Sequence, residues 1–231
     1  MTRKMLLPTP SHSLFWRGLL RLVFKVFYRF EATGQENLPE AGPLILASNH
    51  QSYFDPALVA IGQNHPVVFM TWSALFRGWF GRLIRRYGAF PVDLERPDPK
   101  AYQTALASLR AGQWLVIFPE GGRTEDGKLL ELREGVARLA LHTGAPIVPV
   151  RIEGAFEVWP KPRPRPHLFG RIKLTYGPPI EPPRQKGDSQ ARNEAARRIM
   201  DELHGFLNGE HTLPAPSNNP KNNMPGSNVI G

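Results

Sequence analysis

Six short runs of apolar residues, separated by stretches with helical periodicity, constrain the fold of this chain more than any other feature. Each run has four to six residues and is largely apolar, which is typical of strands covered on both faces. They lie at 43–48, 67–70, 89–92, 114–118, 147–151 and 171–176. Helices are predicted at 55–63, 73–86, 99–111 and 134–143, with a C-terminal amphipathic helix at 188–207. This alternation predicts an α/β layered domain with a mostly parallel central sheet flanked by helices.

The length of 231 residues suits one such domain, which we place at 31–210. An N-terminal helical segment at 1–30 precedes it, and a tail at 211–231, rich in Pro, Asn and Ser, is predicted to be disordered. The chain contains no cysteine, which excludes disulfides, thiolate metal sites and a cysteine nucleophile. The histidines show no ligand-like spacing, so no metal site is predicted.

The net charge of +9 suggests an anionic partner, such as nucleic acid, a membrane surface or a phosphorylated substrate. Four cations, Arg17, Arg21, Lys25 and Arg29, recur at every fourth residue among apolar and aromatic neighbours. The charges make the segment a poor membrane span, and no small-residue cleavage site of a signal peptide follows it. We expect an interfacial helix on an anionic membrane surface. The alternative is a helix packed on its own domain with a solvated basic face. With no recognised nucleic-acid motif, we expect no nucleic-acid binding.

The segment 48–56, SNHQSYFDP, places a histidine and an aspartate directly after the first apolar run. His50 therefore falls at the carboxyl end of a strand, where parallel α/β sheets usually carry their sites. Asp55 precedes Pro56, the arrangement of a helix N-cap before a proline at the first helical position. The short loop also brings its carboxylate near His50, and a carboxylate on one imidazole nitrogen raises the basicity of the other. The pair is either a general base with its orienting partner or a loop histidine beside a helix cap.

A second polar loop, FPEGGRTEDG at 118–127, follows the fourth run and lies at the same predicted edge. Gly121 and Gly122 can take positive φ, which lets backbone N–H groups converge on an anion. Arg123 supplies a planar fork suited to phosphate, and Glu120 is expected either to anchor Arg123 or to accept from substrate hydroxyls. The alternative is a glycine turn with a surface Arg–Glu pair.

Arg96 is a further candidate for phosphate contact. It lies in YGAFPVDLERPD, where the third run ends at the predicted edge of the sheet. A guanidinium at that edge can reach a phosphate. Asp93 and Glu95 precede it and make this arginine a weaker candidate than Arg123.

Four blocks of this sequence resemble, in order, those of the glycerolipid acyltransferase family, whose best-known members are the 1-acyl-glycerol-3-phosphate acyltransferases. The blocks are NHQSYFDP, GAFPVDLER, FPEGGRT and IVPV, and the resemblance spans roughly residues 30 to 180. The first and third blocks are specific in combination. The resemblance implies an O-acyltransferase of phospholipid biosynthesis. Its substrates would be an acyl thioester donor (acyl-CoA or acyl carrier protein) and a lyso-lipid acceptor such as lysophosphatidic acid, with no cofactor.

The resemblance also implies residue roles. His50 would be the general base that takes a proton from the acceptor hydroxyl, and Asp55 would orient it. Glu120, Gly121 and Arg123 would belong to the acceptor site. The enzyme would be membrane-associated, peripheral at the cytoplasmic face, with the N-terminal helix bringing the site to the bilayer surface.

One departure from the family concerns the acceptor headgroup. A lysine is often found after the family's second strand, and Trp72 stands there in MTWSALF. Two rival functions remain. One is a hydrolase (lysophospholipase or thioesterase), although no Gly-x-Ser-x-Gly elbow is present. The other is a non-catalytic membrane lipid-binding protein of the same fold, which the presence of both His50 and Asp55 argues against.

Overall fold

The computed structural model describes residues 14–183 and 188–210. The N-terminal segment's first thirteen residues and the predicted tail at 211–231 lie outside these residues. The helices are α1 (Leu14–Tyr28), α2 (Asp55–Gly62), α3 (Gly78–Arg86), α4 (Pro99–Arg110), α5 (Gly135–Thr143), α6 (Ala155–Val158) and α7 (Ser189–Asn208). The strands are β1 (Glu31–Thr33), β2 (Leu44–Ser48), β3 (Val67–Trp72), β4 (Ala89–Val92), β5 (Trp114–Ile117), β6 (Ile147–Glu153) and β7 (Lys173–Tyr176).

The strands form one seven-stranded sheet in the order β1-β7-β6-β2-β5-β3-β4. Every neighbouring pair is parallel except β6 and β7, which are antiparallel. The prediction of a mostly parallel sheet flanked by helices is confirmed. Because β2, β5 and β3 run in the same direction side by side, the loops that follow them meet at one edge of the sheet.

Alternate residues of the central strands pack into two hydrophobic clusters, one on each face of the sheet. In β2, Leu44 and Leu46 join the cluster under α1 and α2, together with Ile84 of α3, and we call this side the α1 face. Ile45 and Ala47 join the cluster under α4, α5 and α7, on the α7 face. Because side chains alternate across a pleated strand, a strand covered on both faces is apolar at successive positions. This packing explains the continuous apolar runs of the sequence.

Two elements were not predicted, and one predicted helix is divided. Strand β1 has three residues and no apolar run, and it exists because Glu31–Thr33 pairs with β7 at the sheet edge. Helix α6 is a single turn of four residues. The helix predicted at 73–86 is a 3-10 turn at Ser73–Phe76 followed by α3, with Arg77 in extended conformation between them.

Helix α1 packs on the domain through the side that carries its arginines. Arg17 donates to the backbone carbonyls of Ala60 (2.6 Å) and Gln63, and Arg21 donates through Nε to that of Ile61 (2.8 Å). These carbonyls belong to the last turn and C-cap of α2, where helical carbonyls lack intrahelical donors and the helix dipole favours cations. Two of the four cations of the expected interfacial helix, Arg17 and Arg21, are therefore held by the domain rather than presented to a membrane.

The opposite side of α1 is apolar and uncovered. Phe24 and Tyr28 are buried against the domain. Seven other apolar side chains are exposed: Phe15, Trp16, Leu19, Leu20, Leu22, Val23 and Val26. Within residues 14–183 and 188–210, no helix combines the length and apolarity needed to cross a bilayer.

Candidate active site

His50 and Asp55 lie in direct contact at the carboxyl edge of the sheet. His50 follows β2 after one intervening residue, and Asp55 is the first residue of α2. The imidazole Nδ1 is 2.8 Å from Asp55 Oδ2. The Asp55 side chain is fully buried, whereas that of His50 is 18% exposed. A buried carboxylate on Nδ1 holds the proton there and leaves Nε2 as the basic nitrogen.

The Asp55 carboxylate also fixes the loop that carries His50. Its Oδ2 atom accepts from the backbone N–H groups of Gln51 (2.6 Å) and Ser52 (2.7 Å). The expectation that Asp55 caps α2 is wrong, because both backbone donors precede the helix and none lies in its first turn. A single oxygen therefore sets the position of the imidazole and the path of the chain between the two residues.

The loop after β5 encloses His50 from the other side. The Phe118 ring stacks on the imidazole, with ring centroids 4.1 Å apart and planes 22° apart. The Thr124 N–H donates to the carbonyl of His50 at 3.0 Å. Since β2 and β5 are hydrogen-bonded neighbours, their two following loops meet here. The two polar loops found in the sequence thus form one site.

Glu120 is buried in this site, and its carboxylate binds backbone rather than Arg123. Oε1 accepts from the N–H of His50 (2.5 Å) and Oε2 from the N–H of Leu130 (2.8 Å). Burial raises the pKa of Glu120 to about 7, with a smaller contribution from the charge of Asp55, while the two N–H donors oppose the rise. The expected Glu120–Arg123 anchor is absent among the described residues. Glu120 instead fixes the backbone of His50.

The two glycines of this loop differ. Gly121 has φ of +70°, as predicted, but its N–H already donates to the carbonyl of Phe118 at 3.0 Å. The space beside it is filled by the guanidinium of Arg133, which lies 2.7 Å from where a Cβ would be. Gly122 does not take positive φ, which corrects that prediction, and nothing lies within 4 Å of its missing Cβ. Gly121 therefore allows Arg133 to pack close to the backbone. It does not contribute a free N–H group to an anion site.

Arg123 lies over the loop that joins His50 to Asp55. Its guanidinium carbon is 3.5 Å from the centre of the Tyr53 ring, a cation–π contact. Its Nη1 atom is buried and has no hydrogen-bond partner within the described residues. A buried guanidinium nitrogen without an acceptor is costly, and an anion beside it would satisfy it.

Arg96 is exposed and makes no ion pair within the described residues. Arg133, which was not predicted, contacts the second polar loop. Its guanidinium lies against Gly121, and its Nη1 donates to the carbonyl of Leu94 at 3.4 Å. In the sequence it is a lone arginine in ELREG, with no motif to single it out. Arg133 connects the loop of Arg96 to the loop of Arg123.

The described part of the site matches a known family. A model of the family described as Acyltransferase matches residues 29–153, which is more than half of the chain and includes both loops. The chain belongs to the acyltransferase family. The match covers β2, β5 and the two loops that hold His50, Asp55 and Glu120.

Individual members of the family agree with this assignment. The chain is 28% identical to 1-acyl-sn-glycerol-3-phosphate acyltransferase of Bacillus subtilis over 170 residues, covering 72% of this chain and 81% of that protein. It is 34% identical to the human 1-acyl-sn-glycerol-3-phosphate acyltransferase beta over 135 residues, covering 55% of this chain and 48% of that protein. This chain thus spans most of the Bacillus relative and about half of the human one.

A solved structure extends the likeness to three dimensions. The crystal structure of the 1-acyl-sn-glycerophosphate (LPA) acyltransferase PlsC from Thermotoga maritima matches with a TM-score of 0.64 at 26% identity. The match covers 81% of this chain and 76% of that one. The resemblance inferred from four sequence blocks is confirmed, and so is the predicted class, an O-acyltransferase of phospholipid biosynthesis.

Proposed function

We propose that this acyltransferase moves a fatty acyl group from an acyl thioester, either acyl-CoA or acyl carrier protein, to the hydroxyl of a lysophospholipid such as lysophosphatidic acid. The observation that carries the proposal is the contact of 2.8 Å between His50 Nδ1 and the buried carboxylate of Asp55. The names of the relatives support the acceptor class. No hydrogen bond occupies His50 Nε2 within the described residues.

The chemistry needs only a base and a polarised thioester. As the acceptor oxygen attacks the thioester carbonyl carbon, His50 Nε2 takes the hydroxyl proton. The new C–O bond forms, the tetrahedral oxyanion collapses, and the C–S bond breaks. The imidazolium returns its proton to the leaving thiolate, so no covalent enzyme intermediate is required. Asp55 stabilises the transient imidazolium and keeps the productive tautomer.

The acceptor anion is assigned to the arginines of the loop after β5. Arg123 offers the buried nitrogen that lacks an acceptor, beside the loop of His50. Arg133 adds a second guanidinium against Gly121. Arg96 completes the group only if its exposed side chain turns toward the bound headgroup. A phosphate would receive charge-assisted hydrogen bonds from this set.

The lipid nature of both substrates accounts for the outward face of α1. Its seven exposed apolar side chains would enter the headgroup and acyl boundary of a bilayer. Lys25 and Arg29 are exposed and available to anionic headgroups, whereas Arg17 and Arg21 are held by α2. In this arrangement the protein is peripheral at the cytoplasmic face and needs no spanning helix.

The deciding experiment supplies acyl-CoA and acyl carrier protein thioesters separately with a panel of lyso-lipids, and identifies the products by mass. Transfer requires a diacyl product whose amount equals the thiol released. Thiol release without a lyso-lipid would instead indicate a thioesterase, and loss of the lyso-lipid's own chain a lysophospholipase.

The dyad is tested by His50→Ala, with His204→Ala as the matched control. His204 is an exposed histidine of α7 on the other face of the sheet, so its loss controls for removing an imidazole. We expect His50→Ala to lower kcat by at least about 10³-fold with unchanged folding, and His204→Ala to retain activity. A folded His50→Ala enzyme with near-normal turnover would refute the mechanism.

A further inference from the structure

A second apolar surface lies on the α1 face, away from α1. It is formed by Trp72, Leu75, Trp79, Phe80, Leu83 and Tyr87, all of which are exposed. We call it the α3 surface. Trp79 has 71% of its area in solvent, as much as Phe15 at the start of α1. Trp79, Leu83 and Tyr87 follow one another at helical spacing, so they form a continuous ridge rather than scattered residues.

The outward position of this ridge is fixed by the packing of the opposite side. Gly81 is the buried residue of α3, and a Cβ there would lie 2.2 Å from the backbone carbon of Phe76. Ile84 packs into the cluster on the α1 face. The Arg85 guanidinium lies 4.6 Å from the centre of the Phe76 ring. With Gly81 and Ile84 inward, Trp79 and Leu83 must point to solvent.

The charged residues in the stretch of sequence that contains this ridge have a single sign. From Pro56 to Val92 the sequence contains no aspartate or glutamate, and it contains four arginines at 77, 82, 85 and 86. All four are exposed, and none forms an ion pair within residues 14–183 and 188–210. On the helix Arg82 and Arg86 lie beside the ridge, whereas Arg85 lies over the Phe76 ring. An apolar ridge flanked by unpaired cations is the pattern of a helix lying in the interface of an anionic bilayer.

We propose that the α3 surface is a second lipid-contact site, which docks on an anionic bilayer together with the outward face of α1. Both surfaces lie on the same face of the sheet. Trp72 ends β3, which is two strands from β2, or roughly 10 Å along the sheet. The Trp72 end of the α3 surface therefore lies at the carboxyl edge of the sheet, where His50 also lies. The proposal concerns binding alone and does not depend on turnover.

The first test measures co-sedimentation with vesicles of phosphatidylcholine, and of phosphatidylcholine mixed equally with phosphatidylglycerol. One variant carries Arg77→Gln, Arg82→Gln, Arg85→Gln and Arg86→Gln. Its matched control carries Arg110→Gln, Arg192→Gln, Arg197→Gln and Arg198→Gln, four exposed arginines of the α7 face, so that both lose equal charge.

Each cation near an anionic surface contributes about fivefold to the affinity. We expect the α3 variant to bind the anionic vesicles at least tenfold more weakly, and the control to lose much less. If the two variants lose the same amount of affinity, net charge alone explains the binding, and the proposal is overturned. Wild-type protein that binds neither vesicle would overturn it as well.

The second test locates the contact. Because the chain has no cysteine, Leu83→Cys, Leu22→Cys and Asn193→Cys each introduce a single thiol for an environment-sensitive dye. These positions lie on α3, on α1 and on the exposed side of α7. With anionic vesicles, we expect the emission of the dye to shift to the blue when it is attached at position 83 or 22. We expect no shift when it is attached at position 193. A shift at 22 without one at 83 would refute lipid contact by α3 while leaving α1 as the membrane helix.

A third measurement separates this proposal from the acyl-transfer proposal. The α3 variant is assayed with a short, water-soluble lyso-acceptor that needs no bilayer. Turnover equal to wild type, together with weaker vesicle binding, supports a docking surface. Equal loss of turnover on the soluble acceptor would show that the arginines act elsewhere and would overturn the proposal, whatever the outcome for His50→Ala.

Discussion

Helices α1 and α3 both carry cations among apolar residues, but the cations of the two helices make different contacts. Both expose apolar side chains on the same face of the sheet. In α1, Arg17 and Arg21 turn inward to the last carbonyls of α2, and burial lowers the pKa of Arg17 from its usual value. In α3, Arg82 and Arg86 remain in solvent, and Arg85 is exposed but lies over the Phe76 ring. A basic amphipathic pattern therefore does not distinguish a cation that holds the fold from one available to a partner.

The largest expected difference between the helices is in stability. Arg17→Gln with Arg21→Gln removes charged donors from partly buried carbonyls of α2 and should cost about 3 kcal/mol of unfolding free energy. Arg82→Gln with Arg86→Gln should stay within about 0.5 kcal/mol, because those side chains are exposed and unpaired. Urea denaturation measures both. A small loss in the first variant would show that the α1 arginines are no more structural than those of α3.

The glycines of the two helices give a second contrast. Gly81→Ala should cost about 2 kcal/mol, because its Cβ would collide with the backbone of Phe76. Gly18→Ala should instead gain about 0.5 to 1 kcal/mol, because nothing lies within 4 Å of that Cβ and alanine favours the helix. Thermal denaturation resolves the two signs. A gain in stability in both variants would show that α3 packs loosely enough against Phe76 to accept the added methyl group.

The contributions of the two helices to membrane binding should differ in their dependence on salt. Leu19→Ser, Leu22→Ser and Val26→Ser on α1 should weaken vesicle binding by about tenfold at low and high salt alike, since burial of apolar area is not screened. The loss caused by replacing the α3 arginines should shrink as salt rises, because the wild type is then screened as well. Parallel salt curves for the two variants would contradict this division between apolar and charged contact.

A last contrast concerns the pH dependence of stability, which should arise outside both helices. Glu120 has a folded pKa raised to about 7, so the unfolded chain releases that proton first as pH rises. Unfolding free energy should therefore fall between about pH 4.5 and 7, by less than about 1.4 kcal/mol per pH unit. Glu120→Gln should remove this slope, and the α1 and α3 arginine variants should keep it. A slope that persists in Glu120→Gln would assign the titration to another group.

The sequence predicted the sheet and the dyad because each rests on local rules. The apolar run at 43–48 and the short loop after it are sufficient to place His50 at a strand end, close to Asp55.

What the sequence did not predict depends on contacts between distant residues. Arg17 meets its carbonyls more than forty positions away, and no periodicity within α1 reveals them. Arg133 reaches Gly121 only because its own N–H donates to the carbonyl of Pro119, which folds the segment back. Glu120 was expected either to anchor Arg123 or to accept from substrate hydroxyls, but its carboxylate accepts from the N–H groups of His50 and Leu130 inside the fold.

The two loops supply different residues to the site, and this has a practical consequence for redesign. In the proposed mechanism, the base and its aspartate come from the loop after β2, whereas Arg123 and Arg133 come from the segment after β5. Under that proposal, proton transfer and headgroup selection depend on separate pieces of the chain. A chimera that takes residues 121–133 from a relative with another acceptor, and keeps Glu120, would change the headgroup preference without rebuilding the catalytic pair.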